Sequence, residues 1–429
     1  MHRTVKTGSN FEREPLIKPF GFKGSYLDEL WQVSVYMEGQ SGYRSVGLGT
    51  QSVLWSDADV FSSHSQAAGN CLMYLITDHA LKIARNLSFE NPIDLLDQLL
   101  PQVYEYGRKI TCNPKLRATF VLNALVALDN AAWLLYCHEN NIGNFDDMIP
   151  ENIRPALSYR HDRLAGIPLI TYGTSSQDIV NLVNSGSFFL KIKIGSDPEK
   201  DGDPEKMLGW DKKRLTSIHE ILRDTSTQYT ENGHIAYYLD ANGRYDSKER
   251  LLRLLDHADK IGALDRIVIL EEPFPEDYKA DVHDIPVRLA ADESVHSDTD
   301  ATERIELGYR AIALKPIAKT MSMSLKICKA AFEKGIPCFC ADLTVNPVLV
   351  DWNKNIAARL APLPGMNVGV LESNGCQNYS RWDKLKSYHP YKGAEWIDCK
   401  SGLFMLNDDF YKESGGIFRT SKHYASLLK

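Results

Sequence analysis

The chain has 429 residues, 43% of them hydrophobic and 24% charged, long enough for two or three domains and too apolar for disorder or low complexity. Its net charge of −7 gives no basic excess, which excludes nucleic acid or an anionic membrane surface as an expected partner. Met1 to Pro15 lacks the apolar core of a signal peptide, and the most apolar long stretch, Val121 to Tyr136, is interrupted by Asn123, Asp129 and Asn130 and is shorter than the roughly 20 residues of a membrane span, so a cytoplasmic protein is expected.

Residues 27 to 54 hold short β-like runs such as Trp31 to Tyr36, broken by the glycine-rich segment Gly39 to Gly49. Helical patterns follow at Gln66 to Leu87, Pro92 to Tyr106 and Lys115 to Cys137, the last apolar on nearly all sides like a helix buried between layers. From about residue 165 short apolar runs alternate with helix-length segments. The predicted strands are Pro168–Tyr172, Phe188–Ile194, Ala236–Asp240, Ile267–Glu271, Arg288–Asp292, Ala311–Lys315, Pro337–Ala341 and Asn367–Leu371. Amphipathic segments such as Ser247–Ile261 and Ser322–Lys334 lie between most of them, while the link from the fourth to the fifth has room for a turn of helix only. Eight strands in such alternation imply parallel pairing through right-handed crossovers, hence an α/β fold of (β/α)₈ type with an α+β capping domain. An open doubly wound sheet would need a glycine-rich phosphate loop after an early strand. Gly47-Leu48-Gly49, without a third glycine and a following helix, does not supply one. After about residue 378 the rhythm is lost in a segment rich in aromatics (Tyr379, Trp382, Tyr388, Tyr391, Trp396, Phe404), expected to fold back onto the N-terminal domain. The predicted organisation is a cap over 1–155, a barrel over 156–378 and a returning segment over 379–429. The eight cysteines include no C-x-x-C pair, so reduced and mostly buried thiols are expected rather than disulfides or a zinc site.

In a barrel of this kind chemistry is built where the strands end, on the C-terminal face. The second strand ends Lys191-Ile192-Lys193-Ile194, the third Asp240-Ala241-Asn242, the fourth Glu271-Glu272-Pro273, the fifth Asp292-Glu293-Ser294 and the sixth Lys315-Pro316. One charged residue at a strand end is ordinarily the first solvated residue of a loop; five successive strands ending this way are harder to dismiss. Lys191 and Lys193 point to the same face, in phase with Phe189, so that face is not an open solvated one. Burial or a neighbouring cation lowers a lysine pKa toward the range useful for a base. Three carboxylates suit Mg²⁺, which favours oxygen ligands. Zinc would want histidine or cysteine, and only His296 lies just beyond this region, where it reads as a loop residue. Strands two and six are nearly opposite in an eight-stranded barrel, so a substrate over the metal would lie between Lys193 and Lys315. A metal-held carboxylate loses its α-proton more readily as an enediolate, the chemistry of a lysine base working with Mg²⁺.

The order Lys-x-Lys, Asp, Glu, Asp, Lys resembles the muconate-lactonizing-enzyme subgroup of the enolase superfamily, over about residues 30 to 375. Val126-Ala127-Leu128-Asp129-Asn130-Ala131-Ala132-Trp133 is similar to the buried cap helix that precedes the barrel in that family. The resemblance implies Asp240, Glu271 and Asp292 as metal ligands, Lys193 and Lys315 as the acid/base pair, and Lys191 as an aid to the substrate carboxylate. Spacing alone does not separate Glu271 from Glu272 or Asp292 from Glu293. Asn242, Glu293 and Glu372 are further candidates around the metal or substrate. Tyr43 and Arg44, with Trp55 to Ser63, fall where the family's cap lends specificity loops. The implied partners are a small carboxylate substrate and further copies of the chain.

Departures bear on the substrate. Mandelate racemases place a histidine on the seventh strand, where this chain has Cys338-Phe339-Cys340-Ala341-Asp342. Dipeptide epimerases carry Asp-x-Asp on the eighth, where this chain has Leu371-Glu372-Ser373-Asn374. A lysine on each side of the substrate favours a Mg²⁺-dependent racemase or epimerase. The alternatives are an o-succinylbenzoate-synthase-like dehydratase or a muconate-cycloisomerase-like lyase, a catalytically idle binding barrel, and a zinc hydrolase, the last disfavoured by its missing ligands.

Overall fold

The computed structural model describes residues 1–22 and 25–429. Two sheets organise it: a four-stranded antiparallel sheet at the N-terminus and a ten-stranded, mostly parallel one.

The small sheet is built from β1 (His2–Phe22), β2 (Ser25–Gly39), β3 (Arg44–Gln51) and the two-residue β4 (Ser88–Phe89), in the order β3-β2-β1-β4. The sequence reading recognised only part of β2. β1 is not among the predicted strands, because an edge-facing strand carries too few apolar residues to announce itself. Pro15 sits in β1 where the register with β2 shifts, a place where the lost N–H costs no ladder bond. The glycine-rich segment is β3 itself. A Cβ on Gly47 would lie 2.1 Å from the Ala127 carbonyl oxygen and one on Gly49 2.9 Å from the Ala127 nitrogen. These glycines therefore let a strand lie directly against a helix.

That helix is α5 (Ala118–Glu139), preceded by α1 (Val53–Ser56), α2 (Ala58–Ser63), α3 (Gln66–Ala84) and α4 (Pro92–Thr111). Among the described residues α5 alone is long and apolar enough to cross a membrane, and 89% of its apolar window is buried inside the protein. It packs against β3 on one side and against the loop region after β11 on the other. Helix starts follow local chemistry: Asn91 caps α4 ahead of Pro92, its Oδ1 accepting the N–H groups of Ile93 and Asp94.

After α6 (Phe145–Met148) the parallel series begins with β5 (Arg163–Ile167) and β6 (Leu169–Ile170), two halves of one strand interrupted at Pro168. The predicted first strand, Pro168–Tyr172, was placed too late, because Arg163 and Gly166 dilute the apolar run. β7 (Phe189–Lys193), β8 (Ala236–Asp240), β9 (Ile267–Glu271), β10 (Leu289–Ala291), β11 (Ala311–Leu314), β12 (Cys338–Cys340) and β13 (Gly369–Glu372) follow. β6 pairs with β7 and β5 with β13, both parallel, so the split first strand brings the two ends of the series together. The fold is thus a TIM-like barrel with a capping domain. Helices α7 (Ser176–Asn184), α8 (Pro204–Leu222), α9 (Lys248–Lys260), α10 (Asp298–Glu306), α11 (Pro316–Lys319), α12 (Met321–Glu333) and α13 (Pro347–Ala357) form its outer layer. The link from β9 to β10, expected to have room for a turn of helix only, holds none.

The last fifty residues touch both sheets. Tyr379 hydrogen-bonds Gln32 and Tyr424 accepts from Ser34, covering the face of β2 turned away from α5. In between, β14 (Leu403–Met405) adds an antiparallel strand to β5. His389 and Lys354 close on Asp351 at 2.7 and 2.5 Å, pinning the segment to α13. Of the eight cysteines, all free, four are buried and four exposed, so the thiols are less buried than expected.

Candidate active site

Because parallel strands are buried on both faces, the first polar side chains at their C-terminal ends converge on one spot. Lys191, at 4% side-chain exposure, places its Nζ 2.7 Å from Glu271 Oε2, 3.0 Å from Asp240 Oδ2 and 3.1 Å from Glu372 Oε2. Tyr238 accepts a fourth bond from it at 3.1 Å and donates its own hydroxyl to Glu271. Lys193 donates to Asp240 Oδ2 at 2.5 Å and Asn242 Oδ1 at 2.6 Å. Asn242 in turn donates to Glu293 at 2.8 Å. Lys315 is paired with Asp292.

Two residues of this network escaped the sequence reading. Tyr238 lies two residues before Asp240 on β8, so strand periodicity puts both on one face and could have found it. Lys319 lies one helical turn after Lys315; its buried Nζ meets Asp292 O at 2.6 Å, Asp292 Oδ1 at 3.2 Å and Val295 O at 2.8 Å. Glu272 sits beside the network. Its Oε2 accepts from the Asp292 N–H (2.7 Å), the Ser294 N–H (3.3 Å) and the Ser294 hydroxyl (3.0 Å), which holds the turn carrying Asp292 and Glu293. Asn242 and Glu272 both have positive φ, 44° and 39°, a strained backbone of the kind found where chain direction serves a site.

The charges perturb one another strongly. Burial would raise the Asp240 pKa, but Lys191 and Lys193 outweigh it and hold the group at about 2. Asp292 is likewise pulled well below the ordinary range by Lys315 and Lys319 against the effect of burial. Burial and the Asp240 charge push Glu271 well up, and burial together with Glu293 lifts Glu272 to about 8. Lys191 is driven up by its three carboxylates despite complete burial.

The donor set fits a hard divalent cation. Carboxylate oxygens of Glu271, Asp292 and Glu293 lie within 4.8 Å of one another. Glu271 Oε1 and Glu293 Oε2 are buried with no hydrogen-bond partner, the condition a cation relieves. Asp240, the third expected ligand, adjoins this group with its Oδ2 occupied by the two lysines. Glu293 enters as a fourth candidate, where the resemblance implies Asp292 as the ligand and spacing separates neither from the other.

Tyr43 and Arg44 do not reach the site. Tyr43 stacks on His138 at 3.4 Å, and Arg44 lies over Tyr36 and pairs with Glu38 at the β2–β3 turn. The end of the cap sheet that meets the barrel is the other one, where β1 carries Phe20. Phe20 from β1 and Trp55 from α1, edge-on at 5.1 Å, line a cavity of about 470 Å³ above Lys193, Asn242 and Glu293. The expected segment Trp55 to Ser63 thus contributes Trp55 and Ala58 to that cavity. His296 is a joint between loop and cap, bonded to Thr119 at 2.7 Å and Glu276 at 3.2 Å.

Among solved structures, a mandelate racemase/muconate lactonizing protein from Herpetosiphon aurantiacus superposes with a TM-score of 0.64 at 16% identity, over 95% of this chain and 96% of that one. The chain shares the fold of that protein. A dipeptide epimerase from Enterococcus faecalis, solved with Mg and the dipeptide L-Leu-L-Tyr, gives a TM-score of 0.62 at 17% identity over 95% and 97% of the two chains. The L-Ala-D/L-Glu epimerase from Bacillus subtilis gives 0.60 at 17% identity over 89% and 92%. No protein-family model and no curated protein matches the sequence. In this fold the charged cluster occupies the strand-end face, the usual place of chemistry in such barrels.

Proposed function

We propose that the protein is a Mg²⁺-dependent enzyme that abstracts a proton α to a substrate carboxylate, and that it acts as a racemase or epimerase. The observation carrying this reading is the pair of lysines, Lys193 on the second barrel strand and Lys315 after the sixth, flanking carboxylates from the three strands between. In this reading Asp240, Glu271 and Asp292 hold the ion, with Glu293 beside them. Mg²⁺, when bound, draws electron density from the substrate carboxylate and stabilises the negative charge left by the departing proton. Lys193 and Lys315 address opposite faces of the α-carbon, one removing the proton and the other returning one. Lys191, fixed by three carboxylates, offsets their charge where the substrate carboxylate enters. The cap residues Phe20 and Trp55 exclude water from the reacting carbon. Support comes from the fold shared with two epimerases, one of them crystallised with Mg. The compartment in this reading is the cytoplasm and the working form a homo-oligomer.

The test is a panel of N-acyl amino acids, dipeptides and sugar acids in D₂O, with Mg²⁺ or with chelator. Deuterium entry at the α-carbon with loss of optical purity supports the racemase. Loss of water or ring closure in the product supports the lyase alternatives, and exchange indifferent to chelation refutes the metal-dependent reading.

A further inference from the structure

The end of the barrel away from the strand-end cluster carries a second group of charges, nearly all of one sign. α13 leaves the C-terminal face after β12 and runs back along the barrel, so Arg359, two residues past its end, lies at the N-terminal face. The linker from α6 to β5 reaches the same face, where the Tyr159 N–H donates to Arg359 O at 3.1 Å and the His161 N–H to Ala358 O at 3.0 Å. Here lies a cavity of about 300 Å³, at the lower end of the size range of small-molecule sites. Its walls come from every part of the chain: Asp146 from α6 of the cap, Arg154 and Arg160 from the linker, Arg359 from the barrel and Tyr411 from the helix Asp408–Glu413 of the returning segment.

Three guanidinium groups thus line one cavity with a single carboxylate, in a chain whose net charge is −7. Arg359, 2% exposed, holds Asp146 through Nε and Nη2 at 2.5 and 3.1 Å, and Asn355 O and Oδ1 through Nη1 at 3.0 and 3.1 Å. Burial would raise the Asp146 pKa, but Arg359, Arg160 and Arg154 outweigh it and keep the group below its ordinary value. The other two arginines are fixed without being satisfied. Arg154 donates from Nε to Ile149 O at 2.9 Å and from Nη2 to Asp147 O at 3.4 Å, and its Nη1 has no partner among the described residues. The Arg160 guanidinium lies 3.7 Å from the centre of the Tyr411 ring and makes no hydrogen bond among the described residues. Its ion-pair partner Asp408 is 3.6 Å away and fully exposed, a pair of little strength in water. Tyr411 is anchored in turn, its hydroxyl donating to His161 O. Side chains already held in this way lose little further freedom when an anion meets them. One planar fork suffices for a carboxylate, whereas several guanidinium groups suit a tetrahedral dianion whose oxygens point in different directions.

We infer that this cavity binds a phosphate group, free or at the end of a small phosphorylated metabolite, through Arg154 and Arg160 with Arg359 behind them. Bound there, phosphate ties cap, barrel and returning segment together and stabilises the folded chain. The site is independent of the reaction carried out at the strand ends. The test is calorimetry on the full chain at constant ionic strength, in Mg²⁺-free buffer so that metal and titrant do not complex each other, with inorganic phosphate, glycerol 3-phosphate and glycerol as titrants. The expected result is one site per chain for the two phosphates and none for glycerol. Arg154→Gln and Arg160→Gln, both at exposed positions, should each weaken binding about 10- to 100-fold, the value of one charge-assisted hydrogen bond, and Arg160→Lys should recover part of the loss. Phosphate should raise the melting temperature of the parent and leave that of the double glutamine variant unchanged, with both proteins melting alike in its absence. Tighter binding of glycerol 3-phosphate than of phosphate supports the inference with a metabolite as the ligand, and equal or weaker binding supports it with inorganic phosphate. No saturable binding of either phosphate overturns the inference. So does an affinity unchanged in both glutamine variants, which would put the anion elsewhere, as at the strand-end lysines.

Discussion

Asp129 offers a quantitative test of how the cap is joined to the barrel. It lies in the middle of α5, and its two oxygens accept the Ser322 N–H at 3.0 Å and the Ser322 hydroxyl at 2.5 Å. Ser322 opens α12, directly after the segment that carries Lys315 and Lys319, and also accepts the indole N–H of Trp133 at 3.0 Å. Burial dominates the hydrogen bonds and lifts the Asp129 pKa from its ordinary 3.8 to about 7. Between those values the unfolded chain has released its proton while the folded chain keeps it. Unfolding therefore releases a proton, and stability falls as pH rises through this window. A displacement of about three pH units is worth about 4 kcal/mol in all, and about 2 kcal/mol of it falls between pH 5 and 7. Asp129→Asn keeps the shape, with Oδ1 accepting the Ser322 N–H and Nδ2 donating to its hydroxyl, and removes the titration. Urea unfolding of both proteins at pH 5, 6 and 7 should show the variant gaining on the parent by about 1.3 kcal/mol from pH 5 to 6 and about 1 kcal/mol from pH 6 to 7, where the folded-state carboxyl itself begins to titrate. A gap constant across that range would refute the assignment of a buried, proton-holding Asp129.

Replacing Lys193 or Lys315 with Ala should each suppress racemisation by about 10²–10⁴, the usual contribution of a positioned acid or base, while single-face exchange of one enantiomer with solvent survives; full racemisation by either variant would exclude a two-base mechanism. Asp240→Ala should weaken Mg²⁺ binding and abolish activity, read by calorimetry and turnover together, and unchanged affinity would remove Asp240 from the ligand set. Gly47→Val should lower stability by more than the 1–3 kcal/mol typical of an overpacked core, since about 2 Å separates its Cβ position from the α5 backbone; a melting temperature equal to the parent's would contradict that packing.

The barrel and the charges on its rim were legible in the sequence because parallel strands, covered on both faces, leave apolar runs that stop where the chain emerges. Ala236–Asp240 and Ile267–Glu271 could be bounded to the residue for that reason, and Lys191 and Lys193 could be put on one face by the period of two. The same logic fails for β1, whose partly exposed residues carry no apolar run, and for β5, where Gly166 and Pro168 interrupt one. Only the tertiary structure decided which end of the cap sheet meets the barrel. Tyr43 and Phe20 are both aromatic residues near the end of a strand, and nothing local distinguishes the end of a sheet that faces the strand ends from the end that faces away. The same holds at the rim, where Glu271 and Glu272 are neighbours with equal chemistry. One meets Lys191, while the other turns to bind the Asp292 and Ser294 backbone. That choice depends on how the third, fourth and fifth strands stagger against one another, a relation among residues 19 to 31 apart that no local pattern records.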